Sequence, residues 1–111
     1  MSSSYYEPRD LRKFGKITEY QKELGDKFFD WYGSVFQEGH LSAREKSLIA
    51  LAVAHAVHCP YCIDAYTEDS IKHGFSHEQM MEAVHVAGAI TGGATMVHGV
   101  QLMNKTKELE M

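Results

Sequence analysis

LSAREKSLIALAVAHAVHCPYCIDAYTEDSIKHG, from Leu41 to Gly74, is the stretch that decides the fold. Its opening, Ser42-x-x-Glu45, is a capping box: the serine oxygen takes the backbone N–H three residues on, and the glutamate reaches back to the serine N–H. The helix it starts runs to about Val57 and is apolar nearly all round, with His55 the one polar residue of its second half. Such a helix is expected at the centre of a domain, packed on several sides. Cys59-Pro60 then interrupts, because proline disfavours the helical conformation at the residue before it and suits the first turn of a new helix. The break therefore falls at His58–Cys59. A second helix runs from Pro60 to about His73, and Gly74 stops it.

Working outward, Ser2–Glu7 is expected to be loose, and Pro8 to open a short helix that Gly15 ends. Thr18-x-x-Gln21 reads as another capping box, followed by apolar residues at Tyr20, Leu24, Phe28, Trp31, Tyr32 and Val35. Those steps of three and four mark one helix face, with Gly39 as its stop. Phe28, Trp31 and Tyr32 read as packing core, as do the methionines at 80, 81, 96 and 103. On the far side, Ser76-x-x-Gln79 caps a long C-terminal helical segment that Gly92-Gly93 is expected to break or kink. No alternating strand pattern occurs. The expected fold class is all-α: one compact helical domain over residues 1–111, of about five to six helices.

Bulk properties narrow the function. A chain of 111 residues with 44% hydrophobic and 23% charged residues is an ordinary globular length and balance. Its net charge of −4 and its scattered Lys and Arg give no footprint for nucleic acid. The start lacks a basic region followed by an apolar run, so no secretory leader is expected. Leu48–Val57 is too short to span a bilayer. A cytoplasmic protein is expected. No glycine-rich phosphate loop follows a strand, so no nucleotide or other organic cofactor is implied.

Cys59-Pro60-Tyr61-Cys62 holds the only two cysteines. Secreted disulfide scaffolds use more, at wider spacings. At a helix start, a C-x-x-C puts two sulfurs one turn apart, where unpaired N–H groups and the helix dipole favour a thiolate. The thiolate attacks peroxides and disulfides, and its neighbour resolves the product as an internal disulfide. Two other readings compete: buried cysteines acting as small hydrophobes, or half of a zinc site. Seven histidines make the second worth weighing, and His55 and His58 are near, but no second C-x-x-C or H-x₃-H completes a ligand set. No resident metal is expected.

Residues 41–74 closely resemble the carboxymuconolactone decarboxylase-like superfamily, and the C-P-Y-C within them is similar to its alkyl hydroperoxide reductase D branch. YYEPRDLRKFGKI, FFDWYGSVFQEGHLS and MEAVHVAGAITGGATMVHGVQLM look like a narrower group, the arsenosugar biosynthesis-associated peroxidase-like proteins. The resemblance implies an all-helical, peroxiredoxin-like antioxidant enzyme that assembles as a homotrimer or hexamer. It implies a hydroperoxide or disulfide substrate and an external dithiol reductant. Carried over, Cys62 is the attacking thiol and Cys59 the resolving one. The physics of an isolated helix end leans the other way, since Cys59 lies nearer the positive end.

The branch uses a proton relay built on a Glu twelve residues before the first cysteine and a His four residues after the second. Here those positions are Ser47 and Tyr66. Neither is a good base near neutral pH. His55, four residues before Cys59, is the best replacement base. Tyr66 falls one turn after Cys62 on the same helix face. Glu45 is a weaker candidate. Its capping box explains it, and on one continuous helix it stands about 20 Å from Cys59. His58 adjoins Cys59 and would favour its thiolate when charged. His85 and His98 interrupt apolar stretches further on and can line a pocket or satisfy a buried group.

Three functions follow in order: a thiol peroxidase or disulfide reductase; a vicinal-thiol binder of a soft metal ion or trivalent arsenical; and a decarboxylase acting on a small lactone, a branch that generally lacks the cysteine pair.

Overall fold

The computed structural model describes residues 6–110. They form an N-terminal 3-10 helix (Pro8–Tyr20) and five α-helices: α1 (Lys22–Val35), α2 (Ala43–Ala56), α3 (Pro60–Lys72), α4 (His77–Val97) and α5 (Gly99–Glu110). No strand occurs among the described residues.

Two of the expected capping boxes are formed in full. Ser42 Oγ accepts the Glu45 N–H at 3.0 Å while the Glu45 carboxylate accepts the Ser42 N–H at 2.8 Å. Ser76 and Gln79 repeat the exchange at 3.1 and 2.9 Å. The third, at Thr18, does not form. Thr18 lies inside the 3-10 helix and donates its hydroxyl to the Gly15 carbonyl at 3.1 Å, and α1 starts only at Lys22 with Gln21 as an N-cap whose side chain makes no cap bond. The cause is a periodicity of three, not 3.6. Leu11, Phe14, Ile17 and Tyr20 stand at i, i+3, i+6 and i+9, which the three-residue turn of a 3-10 helix stacks into one ridge. That ridge carries the helix through Gly15 instead of ending it there.

Gly25 lets α1 fold back on this element: a Cβ there would come within 2.9 Å of the Thr18 Cα. The helix ends at Val35, four residues before Gly39. The Lys46 ammonium reaches back from α2 to bond the Val35 carbonyl at 2.7 Å and the Gln37 carbonyl at 2.6 Å, a cationic cap on a helix C-terminus. Of Ser2–Glu7, the first four residues lie outside the described range. Tyr6 is ordered against α3, with its ring 4.7 Å from that of Tyr61 and its hydroxyl bonded to Asp64.

The core sits where α2, α3 and α4 meet. Leu51, Phe75 and Met80 are buried together, with Leu48 and Tyr66 packed against them. Ser47 and Ser70 are wholly buried between α2 and α3, and the Ser70 hydroxyl donates to the Ser47 carbonyl at 3.3 Å. Small side chains there let the two backbones approach. Arg44 joins the far ends, its Nε 2.9 Å from the His73 carbonyl and its guanidinium 3.9 Å above the Phe75 ring.

α4 runs through Gly92-Gly93 without a break, and the interruption comes at His98. Each glycine costs a helix only about 1 kcal/mol relative to alanine, too little to break a long helix by itself. Beyond Ala87 this segment and α5 extend from the body as an arm. Met96 and Met103 are therefore exposed; Met81, earlier on α4, and Trp31 are exposed as well, whereas Met80 is buried as expected of it. Ile49 and Val53 of the central helix also face outward. The arm makes the molecule 59 × 40 × 36 Å, with a radius of gyration of 19.1 Å. A compact chain of this length would have about 13 Å.

Candidate redox site

The sulfurs sit at the turn between α2 and α3, and hydrogen bonds dictate that turn. The His58 N–H donates to the His55 carbonyl at 3.2 Å and the Cys59 N–H to the Ala54 carbonyl at 3.0 Å. This is a Schellman ending, which places the residue between in the left-handed region. His58 occupies it, with φ of 56°, and is the one described non-glycine residue with positive φ. Gly74 fills the equivalent place after α3, with φ of 83°. Histidine is one of the few side chains that visit this region with any frequency. Cys59 then turns extended and becomes the N-cap of α3, with Pro60 in the first turn.

Cys59 and Cys62 are joined as a disulfide, their Cα atoms 5.2 Å apart. Cys59 Sγ also accepts the Cys62 N–H at 3.2 Å. The first cysteine thus does for α3 what serine does for α2 and α4. When the pair is reduced, the same donor and the helix dipole act on a Cys59 thiolate.

Both cysteines line a cavity of about 620 Å³. The 3-10 ridge closes one side with Leu11, Phe14 and Ile17, α1 contributes Phe29 and Tyr32, and α3 contributes Tyr61, Ala65 and Tyr66. Asp10 and Lys13 line it too, as an ion pair at 3.1 Å. Most of the wall is aromatic or aliphatic. The rings interlock edge to face, Phe14 with Phe29 at 4.9 Å. Phe36 stacks on Tyr66 at 5.2 Å, tilted 18°. The Tyr32 and Tyr66 hydroxyls are bonded to each other. Burial, foremost, and the Tyr32 contact raise the Tyr66 pKa well above the ordinary phenol value, with Asp69 adding to the effect.

The sequence candidates separate into two groups. Cys59, Cys62 and Tyr66 share the cavity. His55 is half-buried one turn before Cys59, its Nδ1–H donating to the Leu51 carbonyl at 2.8 Å, and it is not among the cavity-lining residues. His58 is exposed on the turn. Ser47 is buried in the α2–α3 contact with its hydroxyl on the Arg44 carbonyl at 2.7 Å. Glu45 stays in its capping box, beside an α2–α4 cleft. His85 lies on α4 in a groove with His77 and Glu82. The sequence reading missed Tyr32, Phe29 and the Leu11–Phe14–Ile17 ridge. The period of three was the signal available for the ridge.

Among the described residues, no three His, Cys, Asp or Glu side chains gather as a metal-ligand set. No helix there is long and apolar enough to cross a membrane.

The sequence model of the carboxymuconolactone decarboxylase family matches residues 22–105. The chain belongs to the carboxymuconolactone decarboxylase family. The match takes in everything from α1 to the middle of α5 and leaves the 3-10 ridge outside it. An uncharacterized protein of the cox locus of Paracoccus denitrificans is 32% identical over 103 residues, covering 93% of each chain. An uncharacterized protein of Cupriavidus necator is 29% identical over 82 residues, 74% of this chain and 73% of the other. A crystal structure from Methanobacterium thermoautotrophicum superposes with a TM-score of 0.74 at 30% identity, over 78% of this chain and 97% of that one. A carboxymuconolactone decarboxylase family protein of Legionella pneumophila, in its apo form, has a TM-score of 0.67 over 94% of both chains. At 24% identity, that second likeness concerns the fold.

Proposed function

We propose that this member of the family is a thiol-dependent peroxidase. The Cys59–Cys62 pair reduces organic hydroperoxides, and an external dithiol reopens the disulfide. The observation that carries this reading is the position of the pair: at a helix N-terminus, with one sulfur already accepting a backbone N–H, and open to a roomy cavity. Thiol chemistry needs both a stabilised thiolate and access for the oxidant. The aromatic walls suit a hydroperoxide with an apolar body. Cys62 attacks, as the resemblance implies, with Tyr66 one turn away. Cys59, the better stabilised thiolate, resolves. His55 keeps an Nε2 free of its Leu51 bond for proton transfer. Ser47 and Glu45 serve the helices, and His58 and His85 act outside the cavity.

A homo-oligomer is part of the proposal. The chain exposes 8995 Å², whereas a compact monomer of 12.5 kDa exposes about 6,200 Å². The excess is of the size that obligate subunit interfaces bury. It lies on the outward apolar residues of α2 and on the arm, where a second copy would cover Ile49, Val53 and Ile90.

Stopped-flow mixing of reduced protein with cumene hydroperoxide tests the activity. One equivalent should consume both thiols and leave an intramolecular disulfide. Retention of the thiols in excess hydroperoxide would overturn the reading.

A further inference from the structure

We propose that Tyr32 and Tyr66 form a two-hydroxyl proton donor serving the sulfur chemistry: Tyr66 protonates the leaving oxygen as the O–O bond breaks, and Tyr32 restores its proton. The inference rests on the hydroperoxide reading above. It gives a chemical task to Tyr32, which is read from the sequence only as packing.

The geometry has three parts. Tyr66 stands four residues after Cys62 on α3, hence on the same helix face, and both line the cavity. Tyr32 comes from α1 and lines it too, its hydroxyl joined to that of Tyr66. Phe36 stacks on Tyr66 and lies 5.2 Å from the Tyr32 ring, holding the two rings in place. The pair is thus a fixed chain of two O–H groups in a mostly apolar wall. The ionisable neighbours are few: Asp69 on the helix of Tyr66, and on the 3-10 helix Asp10 and Lys13, which neutralise each other. The raised pKa of Tyr66 keeps its proton in place at neutral pH, as an acid requires. That also answers why a phenol stands where a histidine is expected. A hydroxyl is a poor base here, but the departing alkoxide is a very strong one and needs a donor.

The Cys62 thiolate attacks the terminal oxygen of a hydroperoxide. The O–O bond breaks, sulfur keeps that oxygen with its hydrogen as a sulfenic acid, and the other oxygen takes the Tyr66 proton and leaves as an alcohol. Tyr32 reprotonates Tyr66 and recovers its own proton from water, which took one up when the Cys59 thiol ionised. The Cys59 thiolate then displaces hydroxide from the sulfenic sulfur and closes the disulfide. The hydroxide takes up the proton released when the Cys62 thiol ionised. Two thiols and one hydroperoxide give one disulfide, one alcohol and one water.

The test compares oxidants by leaving group. Reduced wild type, Tyr32→Phe and Tyr66→Phe are each mixed with tert-butyl hydroperoxide and with peracetic acid. The first must expel an alkoxide. The second expels a carboxylate, the anion of an acid with pKa near 4, which needs no proton. The ratio of the two rates should fall by about 100-fold in Tyr66→Phe, the lower end of general acid contributions, and by a smaller factor, about 10-fold, in Tyr32→Phe, which acts through Tyr66. Loss of rate with both oxidants alike, or with neither, overturns the proposal while the hydroperoxide reading stands. Wild type that reacts with the peracid alone overturns that reading, and the proposal falls with it. If a variant fails to fold, wild type in heavy water reads the same step. Slowing with the hydroperoxide and not with the peracid is expected, and equal slowing of both contradicts the proposal.

Discussion

Replacing His58 separates its backbone role from any chemical one. Its φ of 56° belongs to the Schellman ending of α2, so the site selects for backbone shape before side chain. An ordinary L-residue in the left-handed region carries about 1–2 kcal/mol of strain. Glycine removes that strain but gives back about 0.5–1 kcal/mol through the extra freedom of its unfolded chain. His58→Gly is therefore expected to stabilise the fold by about 0.5–1 kcal/mol. His58→Val, β-branched, should destabilise it by about 1–2 kcal/mol, since such residues are outliers at positive φ. The two variants thus differ by about 2 kcal/mol. With a urea slope of about 1–1.5 kcal/mol per M, their midpoints should lie more than 1 M apart. Urea unfolding of the oxidised protein, at one protomer concentration, makes the measurement. Equal midpoints for glycine and valine would refute the assignment of this turn. The same variants report on chemistry. If the Cys62 N–H and the helix end are what favour a Cys59 thiolate, His58→Gly leaves the pH profile of alkylation in place. A marked shift would transfer that role to the imidazole.

Further predictions concern the frame around the site. Leu51→Ala should cost about 2–5 kcal/mol in chemical unfolding, since Leu51 is 2% exposed at the meeting of α2, α3 and α4. A loss under 1 kcal/mol would contradict that core. Gly25→Ala should cost about 1–3 kcal/mol, because the new methyl meets the Thr18 backbone, which trimming a side chain cannot relieve. The cavity wall formed by the 3-10 helix should loosen with it, read as faster alkylation of the reduced cysteines by a bulky reagent; unchanged rates would count against that packing. Hydrogen bonds from the Ser42 backbone, then its side chain, hold the Glu45 pKa below its ordinary value. A depressed carboxyl pKa contributes stability above the unfolded value and loses it as pH falls through the folded one. Glu45→Gln, which keeps the capping box, should therefore flatten the acid limb of the stability curve relative to wild type. An unchanged limb would contradict the assignment.

Local chemistry made much of this fold legible. The Ser42 and Ser76 boxes, the Gly74 stop and the break before Pro60 each depend on neighbours a few residues apart, and each formed as read. What failed did so for physical reasons. Thr18 has the right residue at the right spacing, but a competing period of three absorbed it into the 3-10 helix. Gly92-Gly93 carries a helix penalty too small to break a long segment. Trp31, Met96 and Met103 read as core because they are apolar, yet this chain leaves them uncovered. At the site, the two sulfurs and Tyr66 were legible from spacing along one helix. Tyr32 was not, because its partner lies 34 residues on and only the packing of α1 against α3 brings them together.

The proposed chemistry requires reversible opening and closing of one bond in an intact fold. A native-state redox titration follows it most directly: equilibrate the protein in dithiothreitol buffers of graded potential, trap with alkylating reagent, and weigh the products. A single two-electron transition is expected, with doubly alkylated and bridged forms interconverting in both directions and the helical signal unchanged. A pair that stays bridged until the protein is unfolded, or that cannot reclose once opened, would contradict it.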